Sequence, residues 1–154
     1  MNQLIDDPFQ GEQSMKNYGW SHFDHRADMG IEGRGPSMAM AFSQAGLALN
    51  AVISDLGSVK PVTVRNLYCR DDNPEMLFFD FINELIYLIA QENMIFSEIK
   101  AAINGPELEA ELRGETIDPL RHDPSVEIKG ASFSELSVKK NRSGQWVARC
   151  VVDV

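Results

Sequence analysis

The densest run of polar chemistry in the chain is Asp24-His25-Arg26-Ala27-Asp28, followed by Met29 and Gly30. Carboxylates in such a segment can hold a hard cation such as calcium or magnesium, which takes oxygen ligands. Asp24 and Asp28 lack the ligand density of an EF-hand loop, so any further ligands must come from elsewhere in the fold. A purely local reading also exists, because an aspartate close to a glycine can bond nearby backbone amides and shape a turn. The chain end offers partners: Asp153 carries a side-chain carboxylate and Val154 the terminal one. Two adjacent anions on a terminal strand repel unless a cation neutralises them or the end frays into water. His22, His25 and His122 are the only histidines. Asp28 with His25 or His122 could serve a small metal-dependent hydrolase through acid–base chemistry. No glycine-rich phosphate loop, Gly-x-Ser-x-Gly elbow or His-Glu-x-x-His helix accompanies them, and no nucleophile is recognisable. Lys129, between Ile128 and Gly130, reads as a solvated strand lysine.

These residues need elements to position them. Residues 17–25 alternate around Tyr18, Trp20 and His22 and predict a strand, and a second strand follows around Ile31. Ser37 is a good N-cap for a first helix whose Phe42, Ala45, Leu49 and Val52 recur at helical spacing; Asn50 and Ser54 are expected to loosen its end. Val62 and Val64 open a strand toward Cys69. Asn73-Pro74-Glu75 starts a second helix, with a wide apolar face of Leu77, Phe78, Phe81, Ile82, Leu85, Leu88 and Ile89. From Ile95 the period changes to two, with a hairpin turn at Asn104-Gly105 and a return strand through Leu108, Ala110 and Leu112. A loop over 116–124 leads to a strand expected from Val126 and Ile128 past Lys129 to Phe133. After Asn141-Arg142-Ser143-Gly144, a final strand alternates from Trp146 to Asp153. Two principal helices among mainly antiparallel strands predict an α+β two-layer sandwich.

The 154 residues include 23 acidic and 14 basic side chains, for a net charge of -9. A chain of this length can bury a sizeable core. No apolar run reaches the roughly 18 residues of a membrane span, and no secretory signal precedes the first strand. Cys69 and Cys150 have no metal spacing and read as reduced thiols of a cytoplasmic protein. The acid excess opposes strong direct binding of nucleic acid, which needs clustered Lys and Arg. Residues 1–16 read as an acidic, flexible leader. A chaperone-like interaction domain is a further reading of the broad apolar helix, although a buried layer accounts for that face as well.

Several segments together resemble one family. Asp24-His25-Arg26-Ala27-Asp28-Met29-Gly30 resembles the archease opening motif, Glu-His-Thr-Ala-Asp-hydrophobic-Gly. Asn83 to Leu88 resembles its long-helix segment. Gly114-Glu115, Asp118-Pro119 and Arg121-His122 resemble its loop, Glu127-Ile128-Lys129 the next strand, and Trp146 to Val154 the closing strand with its penultimate aspartate. The resemblance covers residues 17–154 as one domain. It implies an accessory protein that activates the RtcB-type tRNA-splicing ligase, an enzyme working through a guanylylated histidine and manganese. The implied role is to promote guanylylation and multiple turnover in tRNA splicing or RNA repair, without being an enzyme or taking a small-molecule substrate. It implies Asp28, Asp153 and the Val154 carboxylate as ligands of a divalent metal, calcium in the family's structures, and Lys129 as part of an activating surface. Two departures stand out: Arg26 replaces threonine, and Ser132-Phe133-Ser134 replaces Thr-Tyr-His.

Overall fold

The computed structural model describes residues 17–154; the leader expected over 1–16 lies outside the described residues. Strands β1 (Gly19–His25) and β2 (Asp28–Gly35) form a hairpin through Arg26 and Ala27, with Arg26 in the left-handed region at φ 58°. Helix α1 (Met38–Ile53) follows, capped by Ser37, whose Oγ accepts from Met40 N–H at 3.1 Å. Beyond a 3-10 turn (Leu56–Ser58) comes β3 (Thr63–Arg70), then α2 (Pro74–Glu92). The Asn73 Oδ1 caps α2 by accepting from the N–H groups of Glu75 and Met76. Then come β4 (Met94–Asn104), β5 (Glu107–Thr116), a one-turn α3 (Pro119–His122), β6 (Gly130–Lys140) and β7 (Trp146–Asp153).

The architecture is the α+β arrangement of antiparallel strands and two principal helices that the periodicities predict. The four-stranded sheet runs β1-β2-β7-β6 and the three-stranded sheet β3-β5-β4. Helix α1 lies against β1, β2 and β7 of the first sheet and β4 of the second, while α2 lies against β6, β3 and β4. The core centres on Phe42, Phe78 and Phe81, all fully buried, with the Phe42 ring 4.9 Å from Phe78 and 6.1 Å from Phe81. Burying each such side chain contributes about 1.5–3 kcal/mol.

Three local expectations are corrected. Asn50 does not loosen α1: it is fully buried, its Nδ2 donating to Gly46 O and its Oδ1 accepting from Phe96 N–H, each at 2.8 Å. That bond satisfies an amide beside the β4 irregularity between Phe96 and Glu98. The loop at 116–124 contains α3, capped by Asp118 with Pro119 at its start. The strand expected from Val126 begins only at Gly130, so Lys129 stands just before β6. The reason is a competing tether: Ser125 N–H donates to Ile53 O at 2.9 Å, and its Oγ donates to Val52 O at 3.1 Å. The segment therefore satisfies the end of α1 rather than pairing as a strand.

Candidate metal centre

Strand register assembles this site. His25 lies opposite Asp28 in the β1–β2 hairpin, and Gly130 lies opposite Asp153 between β6 and β7. Met29 pairs with Val152, so one step along β2 and β7 Asp28 faces Asp153. Side chains alternate across a sheet, which puts His25, Asp28 and Asp153 on one face. It is the outer face, opposite the one on which His22, Ile31 and Cys150 turn inward; His22 Nε2 there bonds Ala48 O of α1 at 2.8 Å. Asp24 alternates away from the group and is exposed. Val154 N–H donates to Asp28 Oδ1 at 3.4 Å, holding the last residue beside the half-buried Asp28. Lys129 N–H donates to Asp153 O at 2.8 Å, so β7 is bridged on both sides and does not fray at Asp153. Residues 126 positions apart thus meet at one end of one sheet.

The next layer on this face is a platform. The Phe23 ring lies across Gly30, where a Cβ would come within 2.3 Å of it. Arg149 stacks over that ring at 4.0 Å. Val151, opposite Gly30, is only 1% exposed although it alternates to the outer face. Among the described residues, the buried His25 Nδ1 meets no hydrogen-bond partner. Among the described residues, no three His, Cys, Asp or Glu side chains converge as a metal group. The donors gathered are two aspartates and the last residue, an oxygen set that suits a hard divalent cation rather than a closed zinc site. Cys69 and Cys150 are free and buried, and burial pushes both thiols up to about 12, so neither supplies a thiolate.

His122 does not join Asp28. It is 3% exposed, and its Nδ1 accepts from Asp118 N–H at 2.8 Å while its Nε2 lies 2.9 Å from Glu115 Oε2. The backbone donor therefore fixes the neutral Nε2–H tautomer, and both nitrogens are occupied. Glu115 also accepts two bonds from Arg121 at 2.7 Å and one from Lys60 N–H at 2.7 Å. Lys60, Glu115, Asp118, Arg121 and His122 form one structural knot where β5 runs into α3. The Arg121 hydrogen bonds, helped by Lys60 N–H and His122 against an opposing burial effect, hold the Glu115 carboxyl well below its ordinary 4.5. A depressed pKa gives stability that is fully present above the ordinary value and is lost as pH falls through the folded one. Glu115→Gln is expected to cost about 2 kcal/mol at pH 7. In urea titrations that deficit should shrink steadily as pH drops from 5 to 2; a constant deficit would contradict the knot.

The fold and site together define a small α+β protein with an open carboxylate site at the end of an antiparallel sheet. The chain matches the model of the archease protein family (MTH1598/TM1083) over residues 20–154, and it belongs to that family. It is 31% identical to the protein archease of Thermococcus kodakarensis over 139 residues, covering 88% of this chain and 98% of that one. Identity to the protein archease of Saccharolobus islandicus is 34% over 134 residues, covering 86% and 96%. The solution structure of Methanobacterium thermoautotrophicum protein 1598 superposes with a TM-score of 0.78 at 26% identity, covering 91% of this chain and all of that one. A crystal structure of an archease and possible chaperone from Thermotoga maritima shares the fold, with a TM-score of 0.53 at 18% identity and coverage of 86% and 94%.

Proposed function

We propose that the chain is a metal-binding accessory protein that activates an RtcB-type RNA ligase, promoting guanylylation and multiple turnover in tRNA splicing or RNA repair. It acts through protein contact in the cytoplasm and is not itself an enzyme. The observation that carries this reading is the register that gathers Asp28, Asp153 and Val154 beside Lys129, in a chain of the archease family. Asp28, Asp153 and the Val154 carboxylate would hold a divalent cation, calcium in the first instance, whose charge offsets their mutual repulsion. Arg26, in the turn beside these residues, adds a positive charge near that cation. Lys129, exposed and outside the carboxylate set, offers a point charge to a phosphate or a partner carboxylate. The chaperone-like reading loses its surface, because the apolar face of α2 at Leu77, Phe78, Phe81, Ile82 and Leu85 lies in the core.

The test combines the purified chain with an RNA ligase, GTP, manganese and RNA ending in a 3′-phosphate. Faster guanylylation or multiple turnover supports activation, whereas turnover of RNA by the chain alone makes it an enzyme and overturns the proposal. Lys129→Ala is expected to slow activated guanylylation on the order of tenfold, the scale of one lost charge-assisted contact. Its calorimetric affinity for calcium should stay at the wild-type value. Equal guanylylation by that variant would remove Lys129 from the activating surface.

A further inference from the structure

The strand that follows Lys129 is interrupted close to its start. Ser132 pairs with Val151 and Ser137 with Arg149, so residues 133–136 together stand opposite Cys150 alone. Within this bulge Glu135 takes φ 61°, a left-handed backbone disfavoured outside glycine. Its carboxylate accepts from Arg149 at 3.2 Å, and Arg149 is fixed in turn by Glu32 at 3.1 Å and the Phe23 ring at 4.0 Å. The strained turn is therefore held by the same platform that underlies the carboxylate site. It presents Phe133, which is 64% exposed, with its ring stacked 4.4 Å and 12° from the ring of Phe79 on α2. Bulges and held strain of this kind accompany functional surfaces. Stacking on Phe79 orders the exposed ring in advance, so a partner that covers it loses little side-chain entropy.

The charges nearby select the partner. Glu75 is exposed one helical turn before Phe79, while Glu135, two residues beyond Phe133, is already paired with Arg149. The lysines of this strand, Lys139 and Lys140, sit at its far end, Lys140 over the Trp146 ring at 5.6 Å. Glu75 beside the aromatic pair, in a chain with a net charge of -9, repels a phosphate backbone and complements the basic surface of an RNA-handling protein. We infer that Phe133, braced by Phe79, is the apolar anchor by which the chain docks on its ligase, entering an apolar pocket edged by Lys or Arg side chains. This rests on the activator reading above and adds to it a docking element separate from the metal and from Lys129.

The test measures binding of the purified chain to the purified ligase by calorimetry, alongside guanylylation. Phe133→Ala is expected to melt and bind calcium like wild type, since the ring is exposed, while ligase affinity falls about tenfold or more. Phe133→Tyr should restore that affinity, and saturating Phe133→Ala should reach the wild-type guanylylation rate. Unchanged ligase affinity in Phe133→Ala would overturn the anchor and leave the activator reading intact. A rate that saturation does not restore also overturns it, because the ring would then act in activation rather than docking. Should Phe133→Ala lose affinity for a 3′-phosphate RNA in the absence of ligase, the surface reads RNA and the inference fails. A wild-type chain that neither binds nor activates the ligase overturns both proposals together.

Discussion

Asp28→Ala is expected to abolish divalent-cation binding and ligase activation together. Asp28 is half-buried, faces Asp153 through strand register, and accepts the Val154 N–H. Removing it takes away one charged oxygen ligand and the acceptor that holds the last residue in place. The number of charged ligands tunes calcium affinity over decades, so a loss of about a hundredfold or more is expected. Two glycines added after Val154 should weaken binding in the same direction, because a neutral amide replaces the carboxylate proposed as a ligand. Calcium titration calorimetry on wild type, Asp28→Ala, Asp28→Asn and the extended chain decides the matter. Unchanged affinity in Asp28→Ala and in the extended chain would remove the metal assignment. Without cation, Asp28→Asn should unfold at least as late as wild type, since relieved repulsion favours the fold.

The second large effect is on folding. At Gly33 a Cβ would lie 2.1 Å from Ala41 O and 2.3 Å from Ala45 N, both main-chain atoms of α1. Backbone cannot rotate aside as a side chain can, so Gly33→Val must push α1 off β2. That separation uncovers Ile31, Ala45 and Leu49, which are fully buried. A cost of about 3–5 kcal/mol is expected, a large share of the roughly 5–15 kcal/mol that keeps a domain folded. The same movement would displace β2 and with it Asp28. Gly57→Ala is the control, because a Cβ there meets only Asp55 at 3.5 Å, an ordinary contact. Thermal melts by circular dichroism should show a large loss for Gly33→Val and little change for Gly57→Ala; a wild-type melt for Gly33→Val would refute the close approach.

Much of the fold was legible because its signals are local. Asn73-Pro74-Glu75 announces the start of α2, since a cap satisfies amides within its own first turn. Asn104-Gly105 marks the β4–β5 turn, where Gly105 takes φ 62°. Asn50 misleads locally because its partner, Phe96 N–H, lies on another element. The late start of β6 has the same origin, since Ser125 is captured by the end of α1. Phe133 had one faint signal: Phe79, beside Asp80 on α2, is an aromatic outside the apolar arc. Nothing near it in sequence says that a second ring covers it.

The amino-acid sequence alone determined the element types, the capped ends of the helices, the acid excess and, through its resemblance to archeases, the residues to inspect. Tertiary structure decided which of them share a site. A strand's own pattern states which side chains share a face, but a one-residue slip of its neighbour exchanges the two faces. Only the packing of β2 and β7 against α1 sets the register that turns Ile31 and Cys150 inward. That same register places Asp28 and Asp153 together on the outside and leaves Lys129 at the edge of the acids, while His122 is held in a separate knot with Asp118 and Glu115.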